Sequence, residues 1–140
     1  MRRCCVLAFL LTVLFQSAVV ADPVASSKAN PAELVISWVF DIKMDNTETP
    51  RGKVSLFVNG RVILLRPAVV GQYNVIERTE YKDKGIPTTA LTACSGWWAG
   101  AGEDLYVIRR KKQLIVYIRY LDEGTSSSSF VRLKTIQLKG

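Results

Sequence analysis

From Glu33 onward the apolar residues come in short runs of β-branched and aromatic type, separated by polar or glycine-containing turns. No window shows the 3.6-residue spacing of an amphipathic helix. The runs predict strands over 33–42, 53–58, 61–65, 73–81, 89–98, 105–109, 114–121 and 130–138. Residues 43–52, 82–87 and 122–129 read as loops from their charge, proline, glycine and serine content. Short strands at this interval predict an all-β fold: a single antiparallel sandwich or barrel of about seven strands.

The sharpest local signal lies in 53–65. Val-Ser-Leu-Phe-Val is followed by Asn59-Gly60 and then Arg-Val-Ile-Leu-Leu. Asn-Gly supplies the two positive φ angles of a type I′ hairpin turn. An unbroken ladder then sets Phe57 opposite Val62 and Leu56 opposite Ile63. It puts Val54, Leu56, Ile63 and Leu65 on one face, and Phe57, Val62 and Leu64 on the other. Both faces are largely apolar, which places this hairpin near the middle of a sheet or under a covering layer.

The segment 89–121 concentrates the remaining distinctive residues. It holds Cys94, Trp97-Trp98, Gly96, Gly100 and Gly102, the acidic pair Glu103-Asp104, and two apolar strands joined by Arg109, Arg110, Lys111 and Lys112. Adjacent strand residues point to opposite faces. One of Trp97 and Trp98 is therefore expected in the core and the other outside. An outward tryptophan beside a glycine-rich turn suits a protein or a sugar ring. The candidate binding residues are Ser95, Gly96, Trp97, Trp98, Gly100, Gly102 and Glu103.

The first 32 residues change the picture of where the chain works. Met1-Arg2-Arg3 is basic, 6–15 is an apolar run, and Val19 and Ala21 are small residues at the cut positions. This is the three-part pattern of a signal peptide over 1–21. The run is shorter than the roughly 20 apolar residues of a spanning helix, so no stable membrane anchor is expected. Cys4 and Cys5 precede the apolar run, which argues against a lipid anchor. Residues 22–32 read as a flexible lead-in and 33–140 as the folded domain. The expected location is secreted or periplasmic.

Charge and missing residues then limit the chemistry. The net charge is +7 with no histidine. The leader carries Arg2 and Arg3 and no acid, so the remainder stands at +5. That favours acidic partners by long-range steering. Without histidine there is no Ser-His or Cys-His nucleophile and no ordinary zinc site, and no cofactor motif is present. After the leader only Cys94 remains, so no internal disulfide forms, and Cys94 reads as a buried small hydrophobe. No asparagine begins a glycosylation acceptor. Tyr106, Tyr117, Tyr120, Arg109, Arg119 and Arg132 interleave as on nucleic-acid surfaces, but export makes nucleic acid the wrong partner.

Two carboxylate pairs, Glu103-Asp104 and Asp122-Glu123, sit at the ends of neighbouring strands. With Trp97 and Trp98 they carry the parts of a sugar-cleaving site. Solvated turn acids are the simpler reading, and the chain is expected not to be an enzyme. Ser95-Gly96 resembles the Ser-Gly pair in the inhibitory loop of bacterial periplasmic lysozyme inhibitors, which are small exported β-proteins. The resemblance stops at Trp97, and those proteins often carry a disulfide. The leading expectation is a small exported non-catalytic β-domain that binds a protein or glycan of the cell envelope. The alternatives are a lysozyme-inhibitor-like protein and a carboxylate-dependent carbohydrate-active enzyme.

Overall fold

The computed structural model describes residues 33–125 and 128–138. The expected leader, 1–21, and lead-in, 22–32, lie outside these residues. Eight antiparallel strands form two sheets. In the first, β1 (Ile36–Met44), β2 (Pro50–Val58) and β3 (Arg61–Pro67) lie side by side in chain order. In the second, β4 (Tyr73–Val75), β5 (Thr92–Trp98), β6 (Ala101–Arg110), β7 (Gln113–Asp122) and β8 (Val131–Gln137) do the same. Both sheets are meanders in which neighbours along the chain pair in space. Most are joined by short connections, but β4 and β5 are joined by the long excursion 76–91. A 3₁₀ turn, Arg78–Glu80, is the one helical element among the described residues.

The two sheets close on a shared core. Trp38, Val54, Leu56 and Leu64 of the first meet Cys94, Leu105, Val107, Leu114, Val116 and Ile118 of the second. The architecture is a two-layer sandwich. A second core lies on the outer face of the five-stranded sheet. Ala93, Tyr106, Ile108 and Ile115 are covered there by Ile76, Tyr81, Ile86 and Ala90. Segment 76–91 is therefore a third layer over part of the sheet. Its ends are tied down by Ile76 N–H to the Ala93 carbonyl and Leu91 N–H to the Val107 carbonyl. This explains the near-continuous apolar runs of β6 and β7, which are buried on both faces.

Three expectations need correction. The Asn59-Gly60 turn forms, with φ of 50° and 75°, and Phe57 faces Val62. One step further a β-bulge intervenes and Leu56 pairs with Leu64. Ile63 is the extra residue. The faces beyond it are exchanged: Leu64 joins Val54 and Leu56 in the core, and Leu65 is exposed. Second, 73–81 is not one strand. Pairing stops at Val75, and the chain turns over the sheet to bury Ile76 and Tyr81. Third, 82–87 is not wholly solvated, because Ile86 is packed in the second core.

Cys94 has no exposed surface and is free. Burial, reinforced by the charges of Glu103 and Asp104, pushes its thiol well above the usual range. The nucleophilic thiolate is thereby suppressed. Native protein is expected to react slowly with a maleimide and rapidly in denaturant. Cys94→Ser is expected to cost about 1–3 kcal/mol, because a hydroxyl would be buried without an assured partner. Fast labelling of the folded protein would place the thiol at the surface.

Candidate functional site

β5 ends in Trp97-Trp98 and reverses through Ala99-Gly100, whose φ angles are 48° and 83°. This is a two-residue turn of the primed hand. Ala99 accepts a conformation that ordinarily favours glycine. The turn is held from just beyond the end of β7 by Glu123 N–H to the Gly100 carbonyl, at 2.7 Å. Trp98 pairs with Ala101 and Trp97 with Gly102.

The expected division of one core and one outward tryptophan does not occur. Trp97 keeps 46% of its surface exposed and Trp98 38%. They do face opposite sides of the sheet, but at the end of the hairpin neither reaches the middle of a core. Trp98 stands against Gly71, where an added Cβ would lie 3.0 Å from its Cδ2 and 2.8 Å from Met44 Sδ. Trp97 lies over its cross-strand partner Gly102. A Cβ on Gly102 would stand 2.5 Å from Trp97 Cε3, so only glycine lets the indole settle on the backbone. One side of the ring is thus supported and the other is open.

The open side borders a cleft of about 300 Å³ lined by Gln72, Asn74, Val75, Ile76, Glu80, Lys84, Ser95 and Trp97. β4 and β5 supply its floor, with Asn74 opposite Ser95. The 3₁₀ turn and the chain after it supply the wall that carries Glu80 and Lys84. Trp97 N–H donates to the Gln72 carbonyl at 3.1 Å, fixing the rim to the strand. The lining combines two side-chain amides, a hydroxyl, one acid, one base and an indole. Those groups offer donors and acceptors on several sides of a small polar molecule.

Other candidate residues lie elsewhere. Ser95 and Gly96 are not in a loop; they sit inside β5, paired on both sides. Gly96 is buried because a Cβ there would stand 2.4 Å from Val70 Cγ2 and 2.7 Å from Tyr73 Cε1. Gly102 and Glu103 are also buried, and Gly100 lies at the turn beside Glu123. Of the seven candidates, Ser95 and Trp97 share the cleft.

The carboxylates of Glu103 and Asp104 point to opposite faces of β6, and neither has exposed surface. Glu103 Oε1 accepts from Tyr73 Oη and Arg66 Nη1, each at 2.5 Å. Tyr73 stacks on Phe40 with centroids 5.5 Å apart. Burial and then Glu103 push the Tyr73 hydroxyl above its usual range. Burial works against the Arg66 cation, but the bond and charge of Glu103 outweigh it and hold Arg66 protonated. On the other face, Asp104 Oδ2 accepts from Arg119 Nε at 2.9 Å and Nη2 at 2.7 Å. The Arg119 guanidinium lies 4.5 Å from the Phe130 ring centre. Asp122 and Glu123 are exposed at the hairpin end. Buried Glu103 and Asp104 cannot bracket a scissile bond with them, and none of the four lines the cleft.

Sequence reasoning missed Gln72, Asn74, Glu80 and Lys84. The available signal is the polar character of 72–84, whose local pattern predicts a strand over 73–81 and a loop over 82–87. Among the described residues no group of three or more acidic or cysteine side chains is placed to hold a metal ion. No described helix is long and apolar enough to cross a membrane. Compared with protein-family models, curated proteins and solved structures, the chain matches none.

Proposed function

We propose that this protein is a non-catalytic exported β-sandwich that binds a saccharide of the cell envelope or its surroundings in the Trp97 cleft. The supporting observation is the Trp97 ring, backed by Gly102, 46% exposed, and bordered by amide, hydroxyl and charged side chains. A pyranose has an apolar C–H face and a rim of hydroxyls. The indole matches the face, while Gln72, Asn74, Ser95, Glu80 and Lys84 match the rim. The amphipathic lining favours a saccharide over a protein anchor pocket, whose centre is depleted in charge. Export rests on the leader pattern of residues 1–21. The lack of histidine and the internal pairing of Glu103 and Asp104 support binding without turnover.

The test is a screen of envelope and extracellular oligosaccharides by NMR. The chain has three tryptophans, so its indole N–H signals are few and assignable. A ligand is expected to move the Trp97 indole and the Asn74 and Ser95 amides, leaving buried Trp38 unmoved. Binding that moves Trp98 and spares Trp97 would contradict the proposal, as would an absence of binding across the screen.

A further inference from the structure

We infer that the end of the sandwich opposite the Trp97 cleft docks on anionic phospholipid surfaces. β6 and β7 close around Lys111-Lys112, with Arg110 paired to Gln113. Arg109, Arg110, Lys111 and Lys112 are all exposed, and none of them is in an ion pair among the described residues. Lys111 holds φ at 54°, a conformation uncommon for lysine. The two turn carbonyls are occupied from within: Arg109 Nε donates to that of Lys111 at 3.2 Å, and Leu138 N–H to that of Lys112 at 2.8 Å. The turn is fixed while the remaining cationic heads stay outward.

The register adds Arg61 to this end. β3 runs from Arg61 to Pro67, and Arg66 bonds Glu103 near the tryptophan end. Midway, Lys134 of β8 donates to the Ile63 carbonyl at 2.8 Å. Arg61 therefore lies toward the Lys111-Lys112 turn. Glu33, before β1, is the carboxylate nearest this end by the same register. The opposite end carries Asp45, Glu48, Asp122 and Glu123 in the β1–β2 turn and beside the β5–β6 turn, against Lys43 and Arg51, the latter paired with Asp45 at 2.7 Å. The domain is electrically polarised along its strands. In the field of a negative surface it turns its basic tip inward and its Trp97 cleft outward.

The shape selects the partner. The cations sit on a convex hairpin tip rather than along a groove, and 109–113 contains no aromatic to stack on a base. A plane of phosphate headgroups presents many anions to a projecting tip at once. The attraction expected from four to five cations gives half-binding at roughly millimolar accessible lipid.

The test uses vesicles of phosphatidylcholine with and without about 30 mol % phosphatidylglycerol, since attraction to anionic lipid scales with surface charge. Sedimentation with the anionic vesicles alone is expected, with loss at about 0.5 M salt. The double variant Lys111→Glu/Lys112→Glu is expected to bind at least about 50-fold more weakly, with unchanged melting temperature. Brominated lipid is expected to leave tryptophan emission unquenched, because Trp97 and Trp98 face away from the bilayer. The inference is overturned by no sedimentation with anionic vesicles, by equal binding of the variant, by tryptophan quenching, or by retention on a sulfated polysaccharide when the vesicles are ignored.

Discussion

Glu103→Ala is expected to lower the free energy of unfolding by about 3–5 kcal/mol, the cost of removing one partner from a buried ion pair. Arg66 then keeps its charge with 14% side-chain exposure and no carboxylate. Tyr73 loses the acceptor of its hydroxyl inside the layer where it stacks on Phe40. Partial access of Arg66 to water places the result nearer the lower bound. For a domain of roughly 100 residues, 3 kcal/mol is a fall in melting temperature of roughly 12–15 °C. Glu103→Gln keeps the shape and an acceptor and is expected to cost less. The triple variant Glu103→Leu/Arg66→Met/Tyr73→Phe removes the three polar side chains together, leaving only the Val69 N–H without its 3.3 Å bond to Tyr73 Oη, and is expected to recover about half of the loss. Urea unfolding checks the series. A cost below about 1 kcal/mol for Glu103→Ala, the range of an exposed pair, would mean the network is not buried.

Gly52→Ala is the second large effect. Gly52 pairs with Ile42 at a φ of 141°. A Cβ there would stand 1.9 Å from the Asp41 carbonyl oxygen and 2.8 Å from Ile42 Cα. Both are backbone atoms, so no rotamer change relieves the clash and the β1–β2 ladder must part locally. The Ala68 N–H bond to the Gly52 carbonyl, at 3.0 Å, would be disturbed with it. Backbone strain of about 1–3 kcal/mol and overpacking of similar size set the expected loss at about 3–5 kcal/mol. Gly60→Ala is the control: its φ of 75° is also positive, but nothing lies within 4 Å of its Cβ. It is expected to cost about 1–2 kcal/mol, the price of a left-handed alanine. Equal losses for the two variants would show that conformation, not the Asp41 carbonyl, dominates at Gly52.

What could be read in advance follows from range. Asn59-Gly60 acts over four residues and gave the turn correctly. The bulge one pair later answers to Leu64 finding the core beside Leu56, a contact with the other sheet that no local pattern contains. The all-β class was legible because strand periodicity is local. The third layer was not, since Ile76, Tyr81, Ile86 and Ala90 are spaced like neither strand nor helix and become a set only when folded over Ala93 and Tyr106. Segments 105–108 and 114–116 were legible as apolar strands, but their burial on both faces follows from the third layer that covers them.

The site was partly legible in the same sense. Trp97, Ser95 and the supporting Gly102 stood out in the sequence. Alternation also set the two tryptophans on opposite faces, but it could not place either ring at the sheet's margin, where both stay exposed. Asn74 reaches the cleft by pairing with Ser95, and Glu80 and Lys84 reach it through a turn with no regular period. Glu103 and Asp104 read as solvated turn acids because their partners, Arg66 and Arg119, lie 37 and 15 residues away.

The most direct measurement of the central claim is the Trp97→Ala variant, tested side by side for saccharide affinity and thermal stability. Trp97 rests on one glycine and stands outside both cores, so the melting temperature is expected to move by no more than a few degrees. Affinity is expected to fall by about 30-fold or more, the effect of removing an anchor worth 2 kcal/mol or more. Unchanged affinity, or loss of binding that tracks a collapse in stability, would contradict the assignment of Trp97 as the ligand platform.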